Sequence, residues 1–475
     1  MYALITKAVK PSIEGRKGVC IDAAPCHQFA PHPTPPRYPS ARHSLQEKGT
    51  LMTQPSSPIF SLRSIALACT FALGAATAAH AAPDAKLLAA AEKAQPAVIE
   101  NLKEMVLIES GSLNVDGLMK MADVVEGRLK AAGFKVERRK ATAGAGADIV
   151  IGTMKGNGKR KIMLQGHMDT VYQPGILNSQ PYKVDGNRIY GPGIADDKGG
   201  LAVMMASLKI LADAGWRDYD TLTVLMNPDE EVGSVGSGEL IATTADLHDT
   251  VLSFEPTAAK SVVKGESLLL GAAGIAQATL EVKGRASHAG AAPELGRNAL
   301  YELSYQMLQT KDLAKDIPGV TLNWTVARAV GPINQITEKA QALGDVRITE
   351  PGAEKKLDAA LQAKIASGKL IPDTETTVKV EVGRPAFVAG EKGRALAEKA
   401  QAIYKEIDRE LALTPMTGGG TDAGYAGRSG KATVVESFGL AGFGYHARDE
   451  YIEVDSIVPR LYLVTRLLTE IGKGR

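Results

Sequence analysis

Cysteine is almost missing from this sequence. Three occur among 475 residues, Cys20, Cys26 and Cys69, and all precede Ala82. Beyond that point disulfides and thiolate nucleophiles are excluded. An excess of charge is missing too: 55 Lys and Arg face 53 Asp and Glu, a formal net charge of +2. That balance gives no basic footprint for nucleic acid. Histidine is sparse, and only His167, His248, His288 and His446 follow Ala82. No internal repeat is visible. What is there, 44% hydrophobic and 23% charged residues, is ordinary globular composition. It excludes a disordered chain, a collagen-like fibre and a disulfide-stapled mini-protein. The length allows about two to three domain-sized units.

The amino-terminal part differs from the rest. Residues 1–51 mix Pro, Arg, His and Ser without a hydrophobic period and read as a non-structural upstream segment. Residues 52–81 read as a signal peptide. Arg63 lies in its polar start, Ile65–Ala76 is apolar, and Ala79-His80-Ala81 supplies small residues for cleavage. Met52 is then the expected true start, and the mature chain begins near Ala82. A membrane anchor is the alternative, but the apolar stretch is short of the roughly 20 residues a span needs. Cys69 suggests a lipoprotein signal, yet Ala66-Leu67-Ala68 places the leucine poorly for one. The expected location is periplasmic or secreted, with no membrane association after signal removal.

The mature chain alternates between helical and strand patterns. Helices are expected over Asp84–Met105 (interrupted at Pro96), Val115–Ala132 and Leu201–Ala214. Strands are expected at Asp148–Thr153, Lys161–Gln165, Thr221–Met226 and Val251–Phe254. This predicts an α/β fold with a mainly parallel sheet between helices. From Ala276 to Arg384 the pattern changes. Helices at Asn298–Leu313 and Ala353–Ala366 sit among strands at Gln277–Val282, Thr321–Ala327, Ala340–Ile348 and Thr376–Val382. Alternation then resumes with a helix Gly393–Leu411, a strand Thr433–Ser437 and a helix Ile457–Ile471. The expected organisation is a discontinuous catalytic domain, residues 82–275 and 385–475, interrupted by an α+β domain, residues 276–384.

Acidic and histidine clusters follow the strands, where open α/β sheets place their sites. They are Gly166-His167-Met168-Asp169-Thr170, Gly193–Gly200 with Asp196-Asp197, Asn227–Gly233 with Asp229-Glu230-Glu231, and Glu255 after Phe254. His446 comes late, in Gly444–Arg448. Singly, each has a plain structural reading: a hydrogen-bonded histidine, or acids favoured by a helix N-terminus. Together they do not. Several carboxylates packed around one cleft without a cation repel one another and lose hydration. Two histidines with several acids and no cysteine is the donor set of a hydrolytic zinc pair. Asp169, two residues from His167, can orient its ring.

The string His167-x-Asp169, Asp196-Asp197-Lys198-Gly199, Asp229-Glu230-Glu231, Glu255, His446 resembles the di-zinc carboxypeptidase and aminoacylase family. Within it, the chain resembles the bacterial glutamate carboxypeptidases of the folate-cleaving kind from Asp84 to Gly472. Local strings such as Ala286–Gly296, Gly383–Phe387 and Thr417–Asp422 carry that likeness. The resemblance implies two Zn²⁺ per subunit. It implies that Asp196 bridges them, that His167 and Glu255 complete one site, and that Glu231 and His446 complete the other. It implies Glu230 as general base, Asp169 as the holder of His167, and a cis peptide after Asp196. Residues 276–384 are implied to be a lid and dimerisation domain. From it His288 reaches across a homodimer toward the oxyanion. Arg384 is implied to grip the substrate's terminal carboxylate, with Arg347, Asn334, Thr417 and Gly420 as further contacts.

There are departures. The family's Lys-x-Ser pair, which reads a glutamate side chain, has no counterpart in Ala258–Gly271; Ser267 and Leu269 stand at those places. Lys264 substitutes only if the loop is reshaped. Ile333–Thr337 lacks the usual proline. The expected activity is that of an exported zinc exopeptidase. It would hydrolyse the amide before a C-terminal amino acid, glutamate first, in a small peptide or N-acyl amino acid. An aminoacylase or dipeptidase with another side-chain preference is the alternative within the family. A non-catalytic periplasmic binding protein is the alternative outside it.

Overall fold

The computed structural model describes residues 82–142, 146–259 and 265–474. The segment 1–51, the signal peptide at 52–81 and Lys264 lie outside the described residues. Among the described residues, no helix is long and apolar enough to cross a membrane.

The larger layer is a six-stranded sheet. Its order is Lys135–Lys140, Asp148–Lys155, Thr221–Asn227, Lys161–His167, Thr250–Ser253, Thr433–Val435. The last four are mutually parallel, and the first two join antiparallel at one edge. Apolar runs in the central strands serve both faces, because successive side chains point to opposite sides. Ile162, Leu164, Val224 and Met226 enter the core shared with helices Ala85–Val106, Lys198–Asp213 and Ile457–Gly472. Met163, Leu225 and Val251 enter a second core, with Ile241 and Ala245 of helix Gly238–Ala245. The parallel run therefore ends at one edge of the sheet, at Asn227, His167, Ser253 and Val435.

The second layer is a four-stranded antiparallel sheet, in the order Val320–Arg328, Lys339–Ile348, Gly274–Lys283, Glu375–Arg384. Ala276, Ala278, Leu280 and Val282 alternate inward to meet Leu303 of helix Ala299–Thr310 and Leu357 and Leu361 of helix Ala353–Ala366. Its last strand ends at Arg384, which it delivers toward the first layer.

Two expectations need correcting. Helix Ala85–Val106 is not interrupted at Pro96 but runs through it. The proline lacks the N–H for the carbonyl four residues back. Burial of Val98, Leu102 and Met105 beyond it holds the last turns in place. The helix expected over Gly393–Leu411 is Gly390–Lys405. Asp408, at φ 55°, turns the chain into the left-handed region that Asp tolerates. Leu411 then opens a strand, Leu411–Thr414, parallel to Glu266–Leu269.

Candidate active site

His167 is the last residue of its strand and stands beside Asn227 in register. Its ring is buried. Nε2 lies 3.1 Å from Asp196 Oδ1 and 3.7 Å from Glu255 Oε1. Nδ1 lies 3.3 Å from Asp169 Oδ1. His446 sits in a turn at φ 62°, half exposed, with Nε2 3.4 Å from Asp196 Oδ2 and 3.1 Å from Glu231 Oε2. The two oxygens of Asp196 thus face two different imidazoles. Two ligand groups form, one of His167, Glu230 and Glu255, the other of Asp196, Glu231 and His446. Glu230 and Glu231 are neighbours in sequence but point into different groups. The Asp196–Asp197 peptide is cis.

Asp169 does more than face His167. Its Oδ1 accepts from the N–H of Glu230 at 3.0 Å, and its Oδ2 from the N–H of Glu231 at 3.1 Å and the Ser112 hydroxyl at 2.7 Å. One carboxylate therefore sets the position of a histidine and of two glutamates.

The charges of this set suit divalent cations. Around Asp196, burial works against ionisation, but hydrogen bonds to His167 and His446 hold the carboxyl well below the usual range. Hydrogen bonds to Asp196 and Glu231 push the His446 imidazole up to about 10. Burial pulls His167 down, yet Asp169 and Asp196 outweigh it and hold it well above its ordinary value. Burial, then the charge of Asp196, raises Glu231 and Glu255. Oε1 of Glu231 is buried with no hydrogen-bond partner among the described residues. These directions describe acids that draw positive charge toward them, and hard N and O donors are what zinc-type ions take.

Arg384 is buried against Glu230. Its Nη1 donates to Glu230 Oε1 and, at 2.9 Å, to the Gly420 carbonyl; its Nη2 donates to the Glu230 carbonyl. Burial raises Glu230 well above the carboxylate range, and Arg384 opposes that shift. Arg347 lies against the same loop, with Nη1 3.4 Å from the Gly418 carbonyl and Nε 3.0 Å from Asp345. Arg384 thus brings the Gly420 carbonyl beside Glu230, and Arg347 and Thr417 lie along the same Thr417–Gly420 loop. His288 and Asn334 do not. They lie together in the connections between strands of the second layer, where Ser287–His288 pairs with Gln335–Ile336 and the N–H of Ala289 donates to the Asn334 carbonyl at 2.9 Å. The His288 ring accepts from the N–H groups of Gly290 and Ala291 in its own turn. Both residues are exposed.

Residues 163–470 match the family described as Peptidase family M20/M25/M40. The chain belongs to that family. It is 45% identical over 412 residues to carboxypeptidase G2 of Pseudomonas sp. (strain RS-16), covering 86% of this chain and 97% of that one. It is 28% identical over 363 residues to succinyl-diaminopimelate desuccinylase of Methylobacterium sp. (strain 4-46), covering 72% and 88%. Among solved structures it resembles a tripeptidase from Staphylococcus aureus. There the TM-score is 0.65 and the identity 21%, over 80% of this chain and 99% of that one. The chain is a hydrolase of the metallopeptidase class, and the 45% match agrees with the metallocarboxypeptidase expected from its sequence.

In this M20 chain several buried polar residues around the site have no sequence signal. Asp422 accepts from Gln165 at 3.0 Å, from Asn227 at 2.8 Å and from the Ser234 hydroxyl, beneath the Glu230 turn. Glu436, pushed up to about 7 by burial, accepts from the N–H of Glu255 at 3.3 Å. Glu450 contacts the Asp196 loop. Asp422 closes the Thr417–Asp422 string, but nothing in that string announces its partners. Ser267, at one of the two places of the family's glutamate-reading pair, is buried and pinned through its backbone. Its N–H donates to the Thr257 hydroxyl, and its carbonyl accepts from that hydroxyl, both at 2.8 Å.

Proposed function

We propose that the chain is an exported zinc exopeptidase that releases a C-terminal amino acid, glutamate foremost, from small peptides, N-acyl amino acids or folate-type glutamates. The observation that carries this reading is Asp196, whose two oxygens turn to His167 and His446 and join two ligand groups in one cleft. The 45% identity to carboxypeptidase G2 supports the carboxypeptidase direction.

In this reading His167, Glu255 and Asp196 hold one ion and Glu231, His446 and Asp196 hold the other; Glu230, which also lies in the first group, pairs with Arg384 and is left as the base. Zinc bound there supplies Lewis acidity for the scissile carbonyl and lowers the pKa of water. Glu230 takes the proton of the attacking water and passes it to the leaving amine. Asp169 keeps Glu230 and His167 in place for that transfer. Arg384 exchanges the Glu230 carboxylate for the substrate's terminal carboxylate, which its planar fork matches. That exchange frees Glu230 as the substrate docks. Arg347, Thr417 and Gly420 line the same end of the cleft. Residues 276–384 act as lid and dimerisation surface, and His288 and Asn334 serve the cleft of the partner subunit. Residues 52–81 direct export to the periplasm or medium.

A panel of N-acyl amino acids tests the specificity. N-acyl-Glu should be hydrolysed at least about tenfold faster, by kcat/KM, than N-acyl-Leu or N-acyl-Ala. The pinned Ser267 favours a second reading, an aminoacylase or dipeptidase of other preference. Equal rates across the panel decide for that reading and against glutamate.

A further inference from the structure

Glu450 is fully buried. It lies four residues after His446 and far in sequence from Asp196. Its two carboxylate oxygens meet four donors. Oε2 accepts from the N–H of Gly193 at 2.8 Å and faces the Tyr172 hydroxyl at 2.8 Å. Oε1 accepts from the N–H of Ala195 at 2.9 Å and from the N–H of Asp196 itself at 3.1 Å. The carbonyl of Glu450 accepts from the N–H of Gly191 at 3.2 Å. The Tyr172 hydroxyl also lies 2.7 Å from the Ala447 carbonyl, so it ties the His446 turn to the same point. On the other side of the loop, the buried Lys198 ammonium donates to the Pro192 carbonyl at 3.2 Å and to the Ile108 carbonyl at 3.1 Å. The N–H groups of Gly193, Ala195 and Asp196 are therefore drawn toward one anion, and the Pro192 carbonyl toward one cation.

This arrangement is costly unless it is needed. A buried carboxylate is disfavoured, and only its hydrogen bonds offset that. A loop with no task beyond connecting two elements can be held by its own turns. Here the anion binds the backbone of the residue that faces both imidazoles, and it sits on the turn that carries one of them.

We propose that Glu450 is a positioning residue for the metal pair. By holding the N–H groups of Gly193, Ala195 and Asp196 against the His446 turn, it sets where the Asp196 carboxylate stands relative to His446. The inference rests on the two-ion reading above. The His446 group should feel its loss most. His167 ends a sheet strand and Glu255 follows one, so the sheet places both without Glu450. His446 sits half exposed in the turn between strands Ala441–Phe443 and Tyr451–Glu453, and Glu450 is the residue of that turn that binds the Asp196 loop.

The test compares zinc titrations of ion-free wild type and Glu450→Gln. Calorimetry with a competing chelator gives the affinities, and circular dichroism gives the melting of the ion-free proteins. An amide offers one acceptor oxygen and turns an NH₂ toward an N–H donor. The variant is expected to keep the wild-type melting temperature within a few degrees and to weaken the first ion, which also uses Asp196, less than the second. The second ion should bind at least tenfold more weakly, in line with partners that orient metal ligands. Its kcat should fall at limiting zinc and recover with excess zinc, with KM unchanged. Equal weakening of both ions, or of neither, overturns the proposal. If Glu450→Gln does not fold, Tyr172→Phe decides, because it removes only the hydroxyl. A second ion weakened about threefold or more, and more than the first, supports the proposal, and equal weakening of both, or unaltered binding of both, contradicts it. Wild type that takes up no ions contradicts the two-ion reading itself, which keeps the two failures apart.

Discussion

Asp169 spends both oxygens on neighbours of the chemistry: His167 on one side, the backbone of Glu230 and Glu231 on the other. Asp169→Asn should therefore weaken metal binding by roughly 10- to 100-fold, as loss of such a supporting acid does. Competition with a chromogenic chelator measures it, and unchanged affinity would remove Asp169 from the supporting shell. Glu230→Ala should behave differently. It should retain both ions and lose roughly 10²–10⁴-fold in kcat, the scale of a general base. Unaltered turnover would end that assignment. His248, away from the cleft, offers a pH readout. Its ring is buried between the Thr244 carbonyl at 2.7 Å and the Thr223 hydroxyl at 2.8 Å, and burial lowers its pKa. The unfolded chain then takes up the proton first, so His248 contributes stability above about pH 6.5, and that contribution fades as pH falls below it. The difference in urea stability between wild type and His248→Gln should shrink from pH 8 to pH 5.5, and a constant difference would contradict this. Among residues, those that could be read from the sequence were acids and histidines just past strands. Asp422, Glu436 and Glu450 could not be read, because a buried acid is recognisable only by the backbone that converges on it.

Helix Lys198–Asp213 begins where the chain is tightly packed. A side chain at Gly200 would meet the Phe254 carbonyl and Asp197 Oδ1, each at 2.1 Å. Gly200→Ala should cost roughly 1–3 kcal/mol or more, since backbone cannot move aside cheaply. Thermal melting checks it, and a neutral effect would mean that the helix start can shift. Pro96 is the opposite case, exposed inside a helix. Pro96→Ala should leave stability unchanged or raise it by up to about 3 kcal/mol. A loss would show that the proline itself is used in packing. At this scale the sequence announced elements that bury a face. Helix Ala353–Ala366 and the central strands were visible from their apolar periods. Strand Lys135–Lys140 was not, because its residues are charged and it lies at an edge. Such a strand is held by its partner's backbone rather than by its own burial. The end of the helix at Lys405 was likewise hidden, since a left-handed Asp408 leaves the apolar period undisturbed.

The antiparallel layer lays Arg384 on Glu230, and the connections between its strands carry His288 and Asn334 at an exposed two-stranded ladder. Beside them Val330 and Ile333 are 90% and 102% exposed, an apolar tip suited to another protein surface. Mixing tests whether that surface is a second copy of this chain. Subunits carrying His288→Ala and subunits carrying His167→Ala should each be inactive alone. Co-purified on two tags as mixed dimers, they should recover activity, because one cleft then has its ions and its partner's histidine. Mixed dimers without activity would place His288 outside the reaction. The discontinuous organisation was visible because the pattern changes near Ala276 and changes back after Arg384. Which loops meet was not visible, because that depends on sheet order. The account as a whole requires His167, Asp196, Glu231, Glu255 and His446 to hold a pair of divalent cations. Inductively coupled plasma mass spectrometry of active, freshly purified protein tests this most directly. Two equivalents of a divalent transition ion per chain, with activity lost to a chelator and restored by zinc, is the expected result; full activity without a bound ion, untouched by the chelator, would contradict it.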